Sequence, residues 1–145
     1  MNRTADVLQV AVPFAWFGLV LGISVLETPL KFRAPGMTLA LGLGVGSLVF
    51  RALNAVELVL AAVFTASLVV VAPGVYTTTL VATVWLLLVV QVFGLRPALD
   101  RRVQVIVDGG TPPRSRLHHL YIALEGIKLL ALPTLGTILA LSSPS

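Results

Sequence analysis

The chain has no cysteine and little charge. Of its 145 residues only 11% are Asp, Glu, Lys or Arg, whereas about a quarter is usual in a soluble domain. The first absence excludes disulfide frameworks, thiolate metal centres, iron–sulfur clusters and covalently attached haem. The second excludes a water-soluble globule: 57% of the residues are hydrophobic, and the polar groups are too few to cover them, so lipid must. The length suits one compact unit and not two ordinary domains. A net charge of +4 does not point to nucleic acid, because the basic residues sit in short loops between apolar runs, as membrane topology requires.

A helix rises ~1.5 Å per residue, so about 20 apolar residues cross the hydrocarbon layer. Residues 7–26 meet this with no charge, 75–95 with Gln91 near the end, and 121–141 with Glu125 and Lys128 inside. The apolar run 37–72 is too long for one span and contains Arg51, Asn54 and Glu57. The tight Pro73-Gly74 connection ends it, so counting back assigns the span to 52–72. Residues 37–50 are left as an apolar segment that extends the second span or re-enters from the cytoplasmic side. The expected fold is all-α, a single-domain polytopic membrane helical bundle. It has four transmembrane helices plus this short cytoplasmic-side or re-entrant helix. Arg3 and the apolar run after it lack a small-residue cleavage site, which predicts a retained span rather than a signal peptide.

Basic residues set the orientation. Lys31 and Arg33 lie in the loop 27–36, and Arg96, Arg101, Arg102, Arg114 and Arg116 lie in the loop 96–116. Only Arg3 belongs to the opposite side. Seven against one predicts both loops in the cytoplasm of a bacterial cell and both termini outside the inner membrane. The five arginines of the second loop are also candidate contacts for anionic lipid headgroups. That loop should hold a helix, begun at Pro97, patterned by Leu99, Val103 and Ile106, and ended by Gly109-Gly110. Thr38, Gly42 and Gly46 form one small-residue stripe, Gly18 and Gly22 another. Both suit close helix packing within the bundle or in a homo- or hetero-oligomer. The glycines of 42–46 form no phosphate loop, because no Lys-Ser/Thr follows.

The informative residues are polar ones within apolar segments: Glu27, Arg51, Asn54, Glu57, Gln91, His118, Tyr121, Glu125 and Lys128. A charge at depth costs roughly 2.5–3.5 kcal/mol on the lenient insertion scale, so such groups face the bundle interior and pair. One expectation is structural: Glu125 with Lys128 at i,i+3, Glu57 with the fourth helix, and Arg51 marking the inner interface. The other is a site in the cytoplasmic half that relays protons or binds a small polar solute. Glu57, Glu125 and His118 have metal-ligand chemistry, but no Glu-x-x-His pair is present. His118 and His119 are neighbours that point about 100° apart, with no third histidine to complete a haem site. No metal or cofactor is expected. Two further classes are an accessory or assembly subunit of a membrane complex and a redox or quinone-handling membrane enzyme.

Three stretches carry a resemblance. They are Glu27-Thr28-Pro29-Leu30-Lys31-Phe32-Arg33-Ala34-Pro35-Gly36, Val49-Phe50-Arg51-Ala52-Leu53-Asn54-Ala55-Val56-Glu57, and Arg114-Ser115-Arg116-Leu117-His118-His119-Leu120-Tyr121, which leads to Glu125 and Lys128. They resemble a group of small, uncharacterised bacterial four-span membrane proteins. The resemblance implies a fold and a location and supplies no catalytic residue.

Overall fold

The computed structural model describes residues 3–69 and 73–142, and these form helices and their connections, with no strand among the described residues. Four helices are long and apolar enough to cross a membrane: α1 (Arg3–Lys31), α2 (Leu39–Leu68), α3 (Val75–Val107) and α4 (Leu117–Ser142). α1 packs against α2 and α4, and α3 closes the bundle from the other side against α4 and α2. The Arg3 end of α1, the Leu68 end of α2, the Val75 end of α3 and the Ser142 end of α4 share one end of the bundle. The opposite, basic end carries the connections 32–38 and 108–116.

Local chemistry sets the helix boundaries at the basic end. The Thr38 side chain accepts a hydrogen bond from the Leu41 N–H at 3.1 Å, capping α2. α3 stops where Gly109 takes φ 85°, a left-handed conformation open to glycine, and the Gly110 N–H returns to the Val105 carbonyl at 2.8 Å.

Of the two forms expected for the segment 37–50, the structure shows the extension of the second span and not re-entry, because α2 runs unbroken for 30 residues. It has no proline to interrupt it, and Phe32 and Lys31 lie where side chains on Gly42 and Gly46 would be. The helix expected inside the second basic loop is likewise the continuation of α3 (Arg96–Val107). Ala72, the expected outer end of the second span, lies outside the described residues. At 1.5 Å per residue α2 is about 45 Å long and α3 about 50 Å, against ~30 Å of hydrocarbon. The excess is at the basic end, where the first turns of α2 pack on the last turns of α3.

Both long odd-numbered helices contain a π-helical segment, Leu21–Glu27 in α1 and Val90–Leu95 in α3. The Thr28 N–H donates to the Ile23 carbonyl and the Arg96 N–H to the Gln91 carbonyl, both i→i−5. In each case a proline follows two residues after the segment, Pro29 and Pro97. A proline has no N–H and its ring crowds the carbonyl four residues back; a widened turn relieves both. Pro13 and Pro133 are also helical but adjoin no such segment, so proline is not sufficient.

The apolar core forms layers. Trp16, Val20, Leu53, Ala61, Val84, Leu88, Ala131 and Leu132 fill the middle. Val12, Phe64, Leu68 and Leu135 fill the termini end. Leu95, Leu99 and Tyr121 fill the basic end. Residues on the outside are apolar too, among them Val59, Leu86 and Leu130, each more than 60% exposed, as lipid-facing positions should be.

Candidate functional site

All four helices send a polar side chain to one point between the middle and basic-end layers. On α4, Tyr121, Glu125 and Lys128 fall on one face, and all three are buried. On α2, Asn54 and Glu57 are buried one turn apart. Lys128 Nζ donates to Glu57 Oε1 at 2.5 Å and to Glu125 Oε1 at 2.8 Å. The exposures of the three side chains are 0% for Lys128, 0% for Glu57 and 5% for Glu125. Trp16 Nε1 of α1 donates to Glu57 Oε1 at 2.9 Å. The two π-helical segments both serve Glu125: Ser24 Oγ donates to its Oε2 at 3.0 Å, and Gln91 Nε2 to its Oε1 at 2.8 Å. π turns recur at functional sites because they re-aim a side chain that an α turn would direct elsewhere. One turn toward the basic end, the Tyr121 hydroxyl donates to Asn54 Oδ1 at 3.1 Å.

The cluster leaves hydrogen-bonding capacity unused. Among the described residues, three buried side-chain atoms have no partner: Glu57 Oε2, Gln91 Oε1 and Asn54 Nδ2. Two are acceptors and one is an amide nitrogen with two N–H donors. Charge is unbalanced, since two carboxylates share one ammonium and leave −1 if all three are ionised. An unsatisfied buried polar group costs about 1–3 kcal/mol, more if charged. Glu57 holds one of the unpartnered oxygens and one of the two carboxylate charges. It lies 11 residues from the Leu68 end of α2, about 17 Å along the axis.

A second polar group lies at the basic end. Asp100 Oδ1 accepts from Arg96 Nε at 3.0 Å and from Ser47 Oγ at 2.6 Å, and Oδ2 lies 3.2 Å from Arg51 Nε in an ion pair. The Arg96 guanidinium also lies over the rings of Phe50 and Tyr121, at 5.6 and 5.5 Å from their centroids. This knot ties the overrunning ends of α2 and α3 together and rests on α4.

The structure therefore divides the polar residues singled out from sequence. Asn54, Glu57, Gln91, Tyr121, Glu125 and Lys128 converge. Glu27 pairs instead with Lys31 at 3.2 Å, because four residues of helix bring them onto one face. Arg51 pairs with Asp100 of α3, not with Glu57 or α4. His118 is exposed and stacks edge-on against His119. It lies in the first turn of α4, about 10 Å along the axis from Glu125, so the metal set Glu57, Glu125 and His118 is not assembled. Among the described residues no three His, Asp or Glu side chains come together in a way that could hold a metal ion.

Sequence reasoning overlooked Trp16, Ser24 and Asp100. Trp16 had a signal, since an indole N–H deep in an apolar span needs an acceptor. Ser24 had almost none, because its aim depends on a π turn. Asp100 was hidden by the expectation of a loop, where a carboxylate among arginines is unremarkable.

No family model, no curated protein and no solved structure matches this chain.

Proposed function

We propose that this chain is a multi-pass protein of a bacterial cytoplasmic membrane, with its basic loops inside and both termini outside, and that its buried cluster binds and exchanges a proton. The orientation is supported by the seven Lys and Arg residues of the two basic-end connections and their flanks, against Arg3 alone at the other end.

One observation carries the functional reading: two buried carboxylates share one ammonium, and Glu57 Oε2 has no partner. A single proton on Glu57 Oε2 removes the net charge and turns that unpartnered acceptor into a donor. A small polar solute suits the site less well. The charged side chains are 0–5% exposed and already grip one another, whereas a proton needs no cavity. The Tyr121–Asn54 hydrogen bond extends the buried polar group by one turn toward the basic end.

The test is infrared difference spectroscopy on the reconstituted protein, combined with decay of an imposed pH gradient in proteoliposomes. The wild type should show a protonated-carboxyl stretch that moves in heavy water, and should dissipate the gradient faster than protein-free vesicles. Glu57→Gln mimics the protonated form and should lose the band and the excess dissipation while staying folded. A wild type with no such band, and no faster than empty vesicles, reduces the cluster to a structural ion network.

A second reading, an assembly subunit, is favoured by Gly18 and Gly22. A Cβ at either would meet no atom of this chain, whereas Gly42, Gly46 and Gly136 are each covered by a side chain. Mild-detergent purification that recovers the protein free of any stoichiometric companion counts against this reading.

A further inference from the structure

The arginines of the α3–α4 region fall into two classes. Arg96 is neutralised by Asp100, and Arg101 is exposed and turned back to its own helix, with Nε on the Pro97 carbonyl at 3.2 Å. The others gather elsewhere. Arg102, Arg114, Ser115, Arg116 and His119 line one open concavity of about 540 Å³ at the basic end. Its shape is fixed from within: Arg102 Nη1 donates to the Pro113 carbonyl at 2.5 Å, strapping the connection 108–116 across α3. The Ser115 hydroxyl accepts from the Leu117 N–H at 3.1 Å, setting where α4 begins.

No carboxylate lines this concavity. Of the nearest acids in sequence, Asp100 is held by Arg96 and Arg51 and Asp108 by Gln104 Nε2 at 2.9 Å. Among the described residues the side chains of Arg114 and Arg116 have no ion-pair or hydrogen-bond partner. Three guanidiniums around one hollow, two of them with every donor free, repel one another unless an anion lies between them. Their planar forks match the paired oxygens of a phosphate.

We infer that this concavity binds the phosphate of an anionic phospholipid headgroup. Its position favours a lipid over a soluble phosphate. It opens at the first turn of α4, a helix long and apolar enough to cross a membrane, and further along the face that carries His119, Ile122 and Leu130 are exposed, at 53% and 74%. A phosphate held here has acyl chains running down that apolar face. The proposal is independent of whether the buried cluster exchanges protons.

The experiment uses the full chain in nanodiscs of phosphatidylcholine containing a minority of phosphatidylglycerol. Retained lipid is counted by native mass spectrometry after transfer to mild detergent. Arg114→Ala/Arg116→Ala is compared with Arg33→Ala/Arg101→Ala, which removes the same charge from positions outside the concavity. The wild type should keep phosphatidylglycerol selectively. The first pair should lower retention on the order of tenfold, each arginine near the membrane surface being worth about 1 kcal/mol, and the second pair by less than about twofold. Equal losses in both pairs would mean a diffuse basic surface and overturn the proposal, as would no loss in either. Complete displacement of the lipid by millimolar inorganic phosphate would make this a soluble-anion site and overturn the lipid assignment.

Discussion

The two ion networks of this protein have opposite stoichiometry. In the buried cluster two carboxylates share one ammonium, while at the basic end two guanidiniums share the carboxylate of Asp100. The first is dry and leaves one negative charge in excess. The second touches water, with the Arg51 side chain 60% exposed, and leaves one positive charge in excess. Water makes that second surplus inexpensive, because solvent and salt screen it within a Debye length. Nothing screens the first, and this contrast is what underlies the proposal that a proton removes its surplus. The difference between the networks lies in what surrounds the ions more than in the ions themselves.

Removing the single cation of the dry network should have the largest effect. Lys128→Met leaves two buried carboxylates without a counter-ion and should cost about 3–5 kcal/mol, seen as loss of the folded bundle in a denaturing-detergent titration. The double variant Glu57→Gln/Lys128→Met should recover a substantial part of that loss. If it recovers nothing, the two residues are not coupled and the contrast fails.

At the basic end Asp100→Asn should cost less, about 1–3 kcal/mol, because Arg96 is only 10% exposed while Arg51 can turn to water. High salt should weaken the wild-type network in the same direction and leave the dry cluster unchanged. Equal salt sensitivity of Glu57→Gln and Asp100→Asn, followed by thermal unfolding, would erase the distinction.

The smallest effect belongs to Arg51→Ala, within about 1 kcal/mol, since an exposed partner contributes little. A larger loss in the same unfolding assay would show that Arg51 is held as tightly as Arg96.

Much of this was legible from residue type alone. Four apolar runs and the placement of basic residues specify four helices with their loops paired at one end. The cost of burying charge brings Glu57 to the fourth helix, where Lys128 receives it. Composition could not reveal that apolar segments flanking a polar one merge with it. The 37–50 stretch looked separable because Arg51 suggested a membrane boundary, yet Arg51 is solvated beside Asp100 in mid-helix. His118 misled for a related reason: helical periodicity gives the face a residue occupies, not whether the neighbouring helices extend far enough to cover it. Ser24 and Gln91 show the remaining gap, since their common target is set by widened turns, and the Glu-Thr-Pro and Leu-Arg-Pro tripeptides around these are only half of the cause.

Those widened turns make Glu125 a mechanical reference as well as a charge. A π turn holds one residue more than the helix on either side needs, and passing that residue along by one position swings each side chain in the turn by about 100°. Ser24 and Gln91 stop this slippage by their grip on the same carboxylate. A change at Glu125 that loosened both grips would therefore act on the widened turns of α1 and α3 at once.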